Sequence, residues 1–274
     1  MDELLANPAA QAAIVPFIAA LVIGLLLKPV GWYWAGLAVI VGFYASVSLI
    51  TGFEFTPLTS TRKLVLVGMC AAAVGLVFDY LTPKPRQLYP LLAVLGGGTL
   101  LWVIWPPLMR MEGTELWLHG VGSIAYVVWI LLSLEGLRNR ALRADAALMT
   151  LGLGTGIAAL MGASALLGQL ALAMAAAIGA FLLLSIFKKT LPVGLLMLLP
   201  AALLSGLIGI SAMTYAKLPW YSLLALAAIP LLARIPLPQK LPLWGQAVAL
   251  VILTLPAAAG AIYLVWREAG APPM

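Results

Sequence analysis

The sequence predicts an all-α fold, a polytopic transmembrane helical bundle of about ten helices, and three observations carry that prediction. The first is composition. Of 274 residues, 64% are hydrophobic and 9% charged, with a mean hydropathy of +1.11. A water-soluble domain is roughly 25% charged, so lipid must solvate most of this chain's exterior. The second is repetition: apolar windows close to the ~20 residues that cross a ~30 Å hydrocarbon core recur from end to end. The third is charge placement. Basic residues fall between the windows and alternate in density, as loops on the two sides of a membrane do.

The first window covers 9–27 and follows an acidic start, Asp2 and Glu3. It lacks the basic n-region of a signal peptide and is expected to be retained. The second, 31–50, opens on Trp32-Tyr33-Trp34, and the third covers 63–80. The fourth, 89–105, meets Pro106-Pro107, which remove two backbone donors. The fifth covers 116–134. Residues 137–145 then read LRNRALRAD, the most strongly charged stretch, at the midpoint of the chain. The sixth and seventh windows, 146–167 and 169–187, are parted only by Gly168 and Gln169. The eighth covers 192–215, a short ninth 220–233, and the tenth 243–266. Trp32, Trp34, Trp105, Trp117, Trp220, Trp244 and Trp266 stand near window ends, where an interfacial belt is expected.

With 137–145 in the cytoplasm, alternation puts ten of the 15 basic residues inside: Lys28, Lys84, Arg86, Arg138, Arg140, Arg143, Lys188, Lys189, Arg234 and Lys240. Arg62, Lys63, Arg110, Lys217 and Arg267 remain outside, as do both termini. The location this implies is a bacterial-type inner membrane. Losing two windows would preserve the alternation, so eight helices is the alternative count. The chain reads as one integral membrane domain, 1–274. Five windows on each side of the arginine stretch suggest pseudo-repeats, 9–136 and 146–267, inverted relative to one another. Tyr89-Pro90-Leu91-Leu92-Ala93 and Tyr221-Ser222-Leu223-Leu224-Ala225 would be counterparts. This layout resembles the drug/metabolite transporter superfamily, whose usual cytoplasmic termini differ from those expected here.

The net charge of +6 and pI of about 9.6 do not indicate nucleic acid, because the basic residues lie in short loops. One cysteine, Cys70, allows no intramolecular disulfide and no thiolate cluster. One histidine, His119, cannot hold a bis-histidine haem alone. No cofactor or metal is expected. Gly162-Ala163-Ser164-Ala165 resembles the GASG stretch of rhomboid proteases, but Ala165 replaces its last glycine and no histidine follows His119. With no nucleophile–base pair, no catalytic residue is assigned and a non-enzyme is favoured.

Two groups could bind a ligand. Gly96, Gly97 and Gly98 favour local unwinding ahead of Thr99, which would open a mid-bilayer cavity with Tyr126 and Ser205. On the outer side, Glu112, Glu115 and His119 form a polar cluster in which Glu115 and His119 share a helix face. Asp79 and Glu135 are read as interface carboxylates near Lys84, Arg86 and Arg138. The expected function is a small-molecule transporter or permease with a cavity between two five-helix halves. The alternative is a non-catalytic membrane subunit or assembly factor of a larger complex. The expected partners are the lipid bilayer, a small-molecule substrate and, in the alternative, other membrane subunits.

Overall fold

The structure, a computed structural model, describes residues 7–27, 36–162, 164–187, 191–238 and 240–269. Asp2, Glu3, Lys28, the Trp32-Tyr33-Trp34 cluster, Ala163, Lys188 and Lys189 lie outside the described residues. The described residues form ten helical segments and no strand. They are α1 (Ala10–Leu27, opening with a π turn), α2 (Leu37–Ile50), α3 (Ser60–Leu81), α4 (Pro85–Leu108) and α5 (Gly113–Glu135). After the arginine turn come α6 (Ala141–Gly162), α7 (Ala165–Phe187), α8 (Leu195–Ala216), α9 (Trp220–Leu232) and α10 (Leu243–Ala269). Eight of them, all but α2 and α9, are long and apolar enough to cross a membrane, which fits a multi-pass membrane protein.

Helix α8 is the axis of the bundle. Its most apolar 18-residue window is wholly buried, and it packs against α2 to α7 and α9. Small residues make that possible. A Cβ on Gly75 of α3 would collide with the Leu195 carbonyl at the start of α8. The GxxxG pair of α6 behaves as its spacing predicts: a Cβ on Gly152 would come within 3.0 Å of Ala175, and one on Gly156 within 2.7 Å of Leu172, both on α7. Helix α10 packs against α6 and α9, while α1 and α2 pack on α7. The apolar faces of α1 and α10 stay largely exposed.

Three boundaries differ from the sequence reading. Helix α6 starts at Ala141, inside the arginine stretch, so Arg143 and Asp145 are helical. The turn before α7 falls near Ser164, whose Oγ accepts from the Leu167 amide at 3.5 Å, whereas Gly168 lies inside α7, where a Cβ would come within 2.8 Å of the Gly156 carbonyl. Helix α4 runs unbroken through Gly96 to Gly98, where unwinding was expected, and through Pro106 and Pro107 to Leu108.

Two prolines of α4 explain two cross-helix bonds. Pro106 and Pro107 cannot donate to the carbonyls four residues back, Trp102 and Val103. Lys63 Nζ of α3 donates to the Trp102 carbonyl at 2.9 Å, and Tyr215 Oη of α8 donates to that of Val103 at 2.9 Å. Helix α9 is interrupted at Ala228, ahead of Pro230. There the Trp129 indole of α5 donates to the Ala227 carbonyl at 3.0 Å. Below the break, Arg143 Nη1 donates to the carbonyls of Ala233 and Ile235, both at 2.7 Å. Away from water, a freed carbonyl needs a partner from a neighbouring helix.

Candidate functional site

Helix α5 carries His119, Gly122, Ser123 and Tyr126 three or four residues apart, which puts them on one face. That face borders a cavity of about 490 Å³. Ile210 and Met213 of α8 form the opposite wall, and Trp220, Leu223 and Leu224 of α9 form the side. Trp220 and Leu224 are exposed, whereas Tyr126 is buried. From His119 to Tyr126 the cavity descends about 10 Å along the helix axis, at 1.5 Å per residue. It therefore reaches from one end of the bundle toward its middle. Gly209 of α8 makes room at the bottom: a Cβ there would lie 3.7 Å from Tyr126 Oη, 3.7 Å from Thr155 Cγ2 and 3.0 Å from Leu223 Cδ2.

The walls are apolar, yet buried hydroxyls collect around the cavity floor. Ser123 and Tyr126 line the cavity, and Ser123 Oγ and Tyr126 Oη are buried without a hydrogen-bond partner. Nearby in the core, Thr155 Oγ1 of α6 and the Ser205 and Ser211 hydroxyls of α8 also have none. Several other helical hydroxyls in this chain bond back to their own helix. Thr99 Oγ1 donates to Leu95 O at 2.6 Å, Thr214 Oγ1 to Ile210 O at 2.8 Å, and Thr254 Oγ1 to Leu250 O at 2.9 Å. A buried hydroxyl left open costs about 1–3 kcal/mol.

The structure thus joins one residue from each sequence-predicted group, Tyr126 and His119, in a single cavity. Ser205 is buried on α8 and does not line it. Gly96 and Gly97 are buried against α5: a Cβ on Gly96 would come within 2.6 Å of Leu131 Cδ1, and one on Gly97 within 3.5 Å of Ile124 Cγ2. Gly98 is exposed with open space around it, and Thr99 is satisfied within α4. Glu112 and Glu115 are exposed at the start of α5. Ser123, Thr155 and Ser211 are additions; the sequence signal for Ser123 was the polar stripe 119–123–126 at helical spacing.

The opposite end of the bundle holds the arginines and three buried carboxylates. The Asp79 oxygens accept from the Leu195 and Leu196 amides, each at 2.8 Å, and so cap α8 from α3. Gly194 allows this, because a Cβ there would collide with the carboxylate. Arg138 Nη1 lies 3.9 Å from Asp79 Oδ1, and its Nε lies 3.3 Å from Glu135 Oε1. Asp145 is fully buried, with Ser185 of α7 at 3.4 Å. Sequence reasoning missed it by leaving it in the loop. Among the described residues no three His, Cys, Asp or Glu side chains converge to hold a metal ion.

Fold and cavity together describe a class: a multi-pass helical membrane protein with a hydroxyl-floored apolar pocket. No protein-family model matches the chain, and no curated protein matches it.

Proposed function

We propose that this chain is a small-molecule transporter whose substrate is compact, mostly apolar and carries one or two hydrogen-bonding groups. The observation behind this reading is the pair of unpartnered hydroxyls on Ser123 and Tyr126, two residues that line a cavity between α5, from the first five helices, and α8 and α9, from the second five. An apolar wall with a few convergent polar groups is the usual composition of a small-ligand site. His119 stands near the mouth and Tyr126 near the floor, so a ligand's polar end would be handed inward. Gly96 and Gly97 support the site from behind by letting α4 press against α5.

The positive-inside rule orients the reading. The arginine end faces the cytoplasm of a bacterial-type inner membrane, both termini face outward, and segments 9–136 and 146–267 form the inverted halves. Cys70 is free and exposed, so a Cys70→Ser background carrying Asn139→Cys tests the orientation. Labelling by an impermeant maleimide in intact cells would reverse it.

A panel of short-chain alcohols, phenols and amines tests the function by thermal shift in detergent and by flux into proteoliposomes. At least one compound is expected to stabilise the protein and to cross the membrane faster with it. Ser123→Leu, which fills the cavity, should abolish both effects. Absence of stabilisation and flux for every compound in the panel would refute the transporter reading and favour the subunit alternative, whereas flux unchanged in Ser123→Leu would place the route outside this cavity.

A further inference from the structure

We propose that the arginine end contains a second, separate site: a pocket that binds a phosphate group. A cavity of about 610 Å³ opens there, bounded by the end of α3, the turn between α5 and α6, the entry to α8 and the start of α10. Its rim carries Arg138, Asn139, Arg140, Arg143 and Gln246, and its apolar wall includes Phe78 and Leu250.

The charges around it are unequal in fate. Arg138 is balanced by Asp79 and Glu135. Asp79 also occupies the amides at the start of α8, so the helix terminus is closed to any anion. Arg143 is held by two neutral carbonyls, which position its guanidinium without cancelling its charge. The Arg140 guanidinium has no hydrogen-bond or ion-pair partner among the described residues. These two guanidinium groups are near enough to act on one another electrostatically. No carboxylate among the described residues pairs with either of them. Asp145, two residues from Arg143, instead faces Ser185 on α7 and does not line the pocket.

Two like charges held together beside a cavity call for an oxyanion between them. Guanidinium groups match phosphate in charge and in hydrogen-bond geometry. Asn139 and Gln246 add neutral side-chain amides. The apolar wall continues toward the helices and suits an attached hydrocarbon chain. The shared chemistry is a phosphate ester, borne by an anionic lipid headgroup or by a soluble phosphorylated compound.

Native mass spectrometry of the detergent-purified protein separates these sources. It is titrated with phosphatidylglycerol, with phosphatidylcholine and with inorganic pyrophosphate. Phosphatidylglycerol or pyrophosphate is expected to bind at least about tenfold more tightly than phosphatidylcholine. Arg140→Gln, which removes no contact within the fold, should weaken that binding about tenfold. Preference for phosphatidylglycerol alone identifies a lipid headgroup, and binding of pyrophosphate that displaces the lipid identifies a soluble phosphate compound. Arg86→Gln, exposed and outside the pocket, is the control and should bind as wild type does. Equal binding by wild type, Arg140→Gln and the Arg140→Gln/Arg143→Gln double variant would overturn the proposal. So would an equal loss in Arg86→Gln, which would show diffuse surface charge.

Discussion

The end of α4 and the floor of the α5 cavity treat polar groups in opposite ways. At the end of α4, two carbonyls freed by Pro106 and Pro107 are each met by a side chain from another helix, Lys63 and Tyr215. At the cavity floor, the Ser123 and Tyr126 hydroxyls have no partner at all. The first group is obligatory, since a backbone carbonyl cannot be deleted and must be satisfied where lipid excludes water. The second is discretionary, since alanine and phenylalanine would remove both hydroxyls with little change of shape. Polar groups that the fold requires are closed within the fold; those left open are ones the fold does not require.

The comparison can be sharpened by experiment. The largest effect is expected at another closed site, Gly194. Gly194→Val should drive the Asp79 carboxylate off the start of α8 and cost about 3 kcal/mol, read as a fall in Tm in detergent; a variant as stable as wild type would show that the cap contributes nothing. The double variant Lys63→Met/Tyr215→Phe should come next, losing about 2 kcal/mol because two carbonyls are orphaned. Gly97→Leu should cost about 1–2 kcal/mol by forcing α4 from Ile124 of α5, while Gly98→Leu, in open space, should be silent. The smallest effect belongs to the open site. Tyr126→Phe and Ser211→Ala should cause no loss of stability, because each removes a buried hydroxyl that has no partner. A destabilisation of Tyr126→Phe as large as that of Lys63→Met/Tyr215→Phe would erase the distinction between the two regions.

Eight of the ten helices were legible because the bilayer sets a length that apolar windows must meet, and that constraint is local in sequence; within the described residues α2 and α9 fall short of that length and were legible only as apolar runs. What crosses between helices was not. Arg143 and Asp145 read as loop because charge normally marks a loop, yet Arg143 leaves the helix to brace Ala233 and Ile235 and Asp145 turns inward to Ser185. The glycines of α4 read as a break because propensity disfavours them, yet packing on Leu131 and Ile124 overrides propensity. Of the site, Tyr126 and His119 were visible as polar residues in an apolar stretch. Their meeting with Ile210, Met213 and Leu223 depends on which helices adjoin, and no local pattern specifies that.

The Pro106-Pro107 end also has a consequence for how the protein is made. Chains are synthesised from the N-terminus, and α4 emerges long before α8. Lys63 is already present to cover Trp102, but the hydroxyl that covers Val103 arrives only with Tyr215. Helix α4 is therefore inserted before it is finished. A ribosome that stops short of residue 215 leaves a nascent fragment with one bare carbonyl in a water-poor setting. It also leaves the centre of the bundle unfilled, because α8 is the helix the others surround. Completion of α4 and filling of the core therefore both wait for α8, and a fragment that ends before residue 215 lacks the two together.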